Sequence, residues 1–75
     1  MRKNAVIRFT GQPRGRRTDA VAALTFLLER GYRRAELIRY HLLQDGTGEQ
    51  CTWRYEHPRT GATATLRIFY PNTED

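Results

Sequence analysis

Residues 51–70 alternate with period two on both sides of a Pro-Arg-Thr-Gly sequence, a pattern that fits little other than a β-hairpin. On the first arm Cys51, Trp53 and Tyr55 share one face and Thr52, Arg54 and Glu56 the other. On the second, Ala62, Ala64, Leu66 and Ile68 lie opposite Thr63, Thr65 and Arg67. A slip of one residue would send every side chain to the wrong side of the sheet, so the two apolar faces can meet only across an even-numbered loop. Pro58–Gly61 is such a loop, with Pro58 suited to the second position of a type I turn and Gly61 to a left-handed exit. The register then sets Trp53 opposite Leu66, Tyr55 opposite Ala64 and Arg54 opposite Thr65. One face of the sheet becomes core and the other an Arg/Thr surface.

The rest of the chain must cover that core face. Asn4–Thr10 alternates Ala5, Ile7 and Phe9 against Val6, Arg8 and Thr10, which predicts a first strand with Arg8 on the outer face. Gly11–Arg17 carries two glycines, a proline and three arginines and reads as a loop. A helix is expected from Thr18, as N-cap, to Arg30. Asp19 lies in its first turn and Ala20, Val21, Leu24, Leu27 and Leu28 form its apolar stripe. Gly31 ends it, placing Tyr32 where a Schellman cap packs back on Leu27. On a helical wheel Phe26 points away from that stripe. For residues 33–44 the composition favours a helix, but no N-cap follows Gly31 and no stripe forms. A strand is expected instead, with Ile38, Tyr40 and Leu42 on one face, Arg39 and His41 on the other, and Leu37 and Leu43 fitting neither. Asp45-Gly46-Thr47-Gly48 is the turn into the hairpin, and an acidic tail from Pro71 to Asp75 is expected to fray. The prediction is an α+β fold, a two-layer sandwich of order β-α-β-β-β with one helix packed on one face of a mostly antiparallel sheet.

At 75 residues the chain is expected to be a single domain, 1–75, that buries only about 60% of its unfolded surface and has no room for a deep enzyme cleft. No apolar run approaches the roughly 20 residues needed to span a bilayer, and residues 1–10 lack the features of a secretory signal. One cysteine, Cys51, cannot form an internal disulfide; a buried thiol in a reducing cytoplasm is expected. Cys51, His41 and His57 show neither metal-ligand spacing nor a nucleophile and base pairing, so no catalytic residue, metal or cofactor is expected.

The net charge of +5 is local: Arg2, Lys3, Arg8, Arg14, Arg16 and Arg17 precede the first acid, and the remainder is close to neutral. Clustered positive charge is what a polyanion requires. With the outer sheet face it defines the candidate nucleic-acid-binding residues Arg8, Arg14, Arg16, Arg17, Arg39, Arg54 and Arg67, interleaved with Thr52, Thr63 and Thr65. An anion seat is also expected where the Gly11–Arg17 loop meets the helix N-terminus. The expected partner is a nucleic acid or a nucleoprotein complex. A protein partner, with no membrane role, is the alternative, and Phe26 and Phe69 are its candidate apolar anchors.

Two resemblances go beyond residue patterns. The helix ending in Gly31-Tyr32, the strands after it, and Tyr55-Glu56-His57-Pro58-Arg59-Thr60-Gly61 with its following strand resemble the small HicA-type mRNA-interferase toxins. That likeness implies a basic, double-stranded-RNA-binding-like fold and a catalytic His after a Gly-Ser or Gly-Thr pair. Here Gly46-Thr47 is followed by Gly48, so no catalytic residue carries over. In size and build the chain is also similar to small phage-encoded antagonists of host defence, anti-CRISPR proteins among them.

Overall fold

The computed structural model describes residues 4–43 and 46–71. Its elements are β1 (Ala5–Phe9), β2 (Arg16–Thr18), α1 (Ala20–Glu29), β3 (Arg33–Leu42), β4 (Gly48–Glu56) and β5 (Thr63–Pro71). They build one antiparallel sheet of order β2-β1-β5-β4-β3 with α1 on one face, the α+β architecture predicted. Arg2, Lys3, Gln44, Asp45 and the tail from Asn72 lie outside the described residues.

The β4–β5 pairing is the expected one: Trp53 faces Leu66, Tyr55 faces Ala64 and Arg54 faces Thr65. Its loop closes through His57 N–H donating to Ala62 O at 2.8 Å and Gly61 N–H to His57 O at 2.8 Å, with Gly61 at φ +76°. Beside β5, β1 sets Ile7 against Leu66 and Ala5 against Ile68. These rows meet Ala23 and Leu27 of α1 to form the buried core of Ala5, Ile7, Ala23, Leu27, Tyr55, Ala64, Leu66 and Ile68. Trp53 keeps the predicted register but is half-buried at the border of the core, where it pairs with the exposed Leu37 of β3, and the Arg34 guanidinium lies 4.2 Å from its ring centroid.

Four sequence expectations are corrected. First, Arg16 and Arg17 belong to β2 rather than a loop: Ile7 pairs with Arg16 and Val6 with Arg17, so the two arginines project from opposite faces. Second, the helix starts at Ala20, and Asp19, not Thr18, caps it by accepting from Ala22 N–H at 3.1 Å. Third, α1 is rolled about its axis from the predicted stripe. Phe26 turns inward to meet Phe9 edge-on at 5.9 Å, while Val21 and Leu28 are left 70% and 56% exposed. Phe26 is therefore a packing residue, not a free anchor. Fourth, β3 carries two bulges, with Ala35 and Ile38 the extra residues between register positions. Each bulge resets the alternation. Leu37 thereby joins Tyr40 and Leu42 on the helix side, opposite Trp53, Cys51 and Glu49, while Arg39 and His41 stay on the outer side.

The helix C-terminus is the Schellman cap expected: Tyr32 N–H donates to Leu27 O at 2.9 Å and Gly31 N–H to Leu28 O at 3.0 Å, with Gly31 at φ +89°. Gly48 is required for a different reason, since a Cβ there would lie 2.3 Å from Tyr70 O and 2.9 Å from Pro71 Cα, both backbone atoms. Gly48→Ala is expected to lower stability by about 1–3 kcal/mol in urea titration, as overpacking does. At Gly15 the clash is with a side-chain atom, Val6 Cγ1, so relief needs a change at one side chain and not a backbone shift, and Gly15→Ala should cost less. Equal midpoints for the two variants would contradict this packing.

Candidate nucleic-acid interface

Among the described residues no helix is long and apolar enough to cross a membrane. Among the described residues no three His, Cys, Asp or Glu stand together as a metal-binding group. Two basic surfaces remain, one on each side of the sheet.

The first is the outer sheet face, opposite α1. Because directly paired residues share a face, the pairings run a single row across all five strands: Arg17, Val6, Arg67, Thr52, Arg39. Strands are spaced about 4.8 Å apart. The three arginines of that row, each two strands from the next, stand roughly 10 Å apart at their backbones. The row beside it holds Arg8, Thr65, Arg54 and Glu36. Here Arg54 is taken up internally, with Nη2 2.8 Å from Glu36 Oε1 and Nη1 3.6 Å from Glu56 Oε2. Among the described residues, Arg8, Arg17, Arg39 and Arg67 have no carboxylate within ion-pair distance. All four are exposed. Arg8 is held at one end by donating from Nη1 to Gln12 O at 3.2 Å. His41 lies on this face beside Gln50, and Phe69, paired with Gln50 on its other side, is half-buried. Phe69 shares a shallow depression with Val6, Gln50, Arg17 and Arg67, which makes it part of the basic face rather than a separate apolar anchor.

The second surface is a groove on the helix side, between α1 and the 12–18 segment. Four rings line it in edge-to-face contact. Phe26 meets Phe9 at 5.9 Å, Phe9 meets Tyr32 at 5.6 Å and Tyr32 meets His57 at 5.4 Å. Arg14, Arg16, Arg17 and Arg30 also line it, and the Arg30 guanidinium lies 4.4 Å from the centre of the Phe26 ring. The one carboxylate in the lining, Asp19, is spent on the helix cap. His57 is not the idle turn residue its position implies. Its Nδ1 accepts from the Arg59 and Thr60 amides at 3.2 and 3.4 Å, which shapes the hairpin loop.

The anion seat expected at the helix N-terminus is filled by the protein itself. Ala20 N–H donates to Asn4 Oδ1 at 2.9 Å and Ala22 N–H to Asp19. Arg14 and Arg16 are thereby left to the aromatic groove and Arg17 to the edge both surfaces share. Reasoning from sequence missed Phe9, Tyr32, His57 and Arg30 as a group. They come from β1, the C-terminal cap of α1 and the β4–β5 loop, and only tertiary packing unites them.

On the helix side of β3, the Tyr40 hydroxyl donates to Glu49, which raises the phenol above its ordinary value, with burial and the Glu49 and Cys51 charges adding to the effect.

No protein-family model matches this chain, and neither the curated proteins nor the solved structures contain a significant match to it.

Proposed function

We propose that the protein is a small non-enzymatic module that binds nucleic acid through the outer face of its sheet. The observation that carries this reading is the cross-sheet row of Arg17, Arg67 and Arg39, with Arg8 beside it, free of acidic partners among the described residues and interleaved with Thr52 and Thr65. Guanidinium forks and hydroxyls on an open sheet face contact phosphate oxygens without demanding a particular sequence. A cytoplasmic location is part of the proposal, in keeping with the single free cysteine.

The test is titration of duplex DNA, single-stranded DNA and RNA at several salt concentrations. Four phosphate contacts predict a slope of log K against log salt of about −3 to −4. Absence of binding at low salt to every probe overturns the proposal.

A second reading has its own observation. On the helix side, β3 is not covered by α1, leaving Leu37, Tyr40 and Leu42 45–64% exposed, with the bulge residue Ile38 50% exposed; Val21 and Leu28 are exposed on the helix itself. Apolar surface of that extent supports a protein partner, and so an inhibitor or adaptor of the kind phage-encoded antagonists represent. The anchors would then be these residues rather than Phe26 and Phe69. Affinity capture with and without nuclease separates the two readings. Partners that vanish with nuclease favour the first, and a single protein retained after nuclease favours the second.

A further inference from the structure

We infer that the groove between α1 and the 12–18 segment seats an unpaired base of single-stranded nucleic acid, with its flanking phosphates held by Arg14 and Arg16. This rests on the nucleic-acid reading but concerns the opposite face of the sheet. Phe9, Phe26, Tyr32 and His57 are each only half-buried, so part of every ring stays open to the groove. A purely structural aromatic cluster would be closed over by apolar side chains. This one is instead bordered by arginines, and its one lining carboxylate is occupied by the helix cap. An aromatic floor under a cationic rim is complementary to a flat ring attached to phosphate. A cation is repelled by that rim, and carboxylates alone would leave the aromatic floor unmatched.

The groove has room for the neighbours of a seated base. At about 1400 Å³ and open to solvent, it exceeds the roughly 300–1,000 Å³ of a pocket that encloses a small ligand. Arg30 extends the aromatic floor. Exposed and stacked on Phe26, its guanidinium plane offers a further stacking surface to a base. Arg17 lines both this groove and the depression on the outer face. One strand of nucleic acid can therefore pass round the short β2 edge from the outer face into the groove.

The test compares three probes of similar length at low salt: oligothymidylate, an abasic strand of equal charge, and a duplex. Oligouridylate replaces oligothymidylate in a parallel arm to separate RNA from DNA. If a base stacks in the groove, oligothymidylate or oligouridylate binds about tenfold more tightly than the abasic strand. Phe26→Leu, which keeps the apolar packing but removes the ring, should bring that ratio close to one, and its folding is checked by circular dichroism. Should Phe26→Leu not fold, Arg30→Ala, at an exposed position, removes the stacked guanidinium plane and should lower the ratio. If the abasic strand binds as well as the strands with bases, or if the ratio survives in both variants, the groove inference fails while the proposed function stands. If no probe binds at all, the proposed function fails first.

Discussion

Replacing Leu66 with alanine is expected to bring the protein to the edge of unfolding at room temperature. Leu66 is fully buried on β5, between Ile7 of β1 and Trp53 of β4, in the core that Leu27 of the helix closes from above. Removing a buried leucine side chain costs about 3–5 kcal/mol where the surroundings cannot collapse, and a sheet paired on both sides has little freedom to do so. A domain of this size has roughly 4–11 kcal/mol in total, at about 0.05–0.15 kcal/mol per residue. The thermal midpoint should fall by about 12–40 °C, taking about 4–8 °C per kcal/mol for small domains. Val21→Ala, on the exposed side of the helix, is the comparison and should move stability by no more than about 0.5 kcal/mol. Equal midpoints for the two variants would falsify the helix orientation as well as the sheet register.

Much of this architecture is legible in the sequence wherever local pattern and tertiary demand agree. The hairpin from Cys51 to Tyr70 is read correctly to the residue because alternation, loop parity and the Gly61 turn all point to one register. The Gly31 cap is legible for the same reason. The roll of the helix is not. Ala20, Leu24 and Leu27 fit two adjacent stripes equally well, one including Val21 and Leu28 and the other Ala23 and Phe26. What selects the second is Phe9, a residue on another element that supplies an edge for the Phe26 ring.

Strand β3 shows a different limit. Its apolar residues look unpatterned because the two bulges at Ala35 and Ile38 insert phase shifts that a fixed period of two cannot represent. Once they are allowed for, Leu37, Tyr40 and Leu42 fall on one face. The β2 strand was hidden by its own composition, since Arg-Arg-Thr after a Gly/Pro loop carries no apolar alternation. It exists because β1 offers it a free edge. The outer basic face was legible through β4 and β5, but the neutralisation of Arg54 by Glu36 depends on the β3 register and was not.

That difference among the arginines yields the largest expected effect on binding. Replacing Arg8, Arg39 and Arg67 together by alanine removes three exposed guanidiniums that have no acidic partner among the described residues, each of which can displace one condensed counterion from nucleic acid. The slope of log K against log salt should become shallower by about 3, since each phosphate contact contributes about 0.9. The same relation gives nearly one log unit per contact at about 0.1 M salt relative to 1 M. Affinity in that range should therefore drop about a hundred- to a thousandfold. Side chains this exposed can be truncated with little effect on folding. Arg54→Ala is the contrasting variant. Its charge is already satisfied by Glu36 and Glu56, so it should leave the slope almost unchanged while loosening the β3–β4 pairing it bridges. A triple variant with the wild-type slope would move the interface off this face and onto the aromatic groove. An Arg54→Ala slope that falls as much as each of the other three would mean that binding follows the number of arginines, not which of them the fold leaves free.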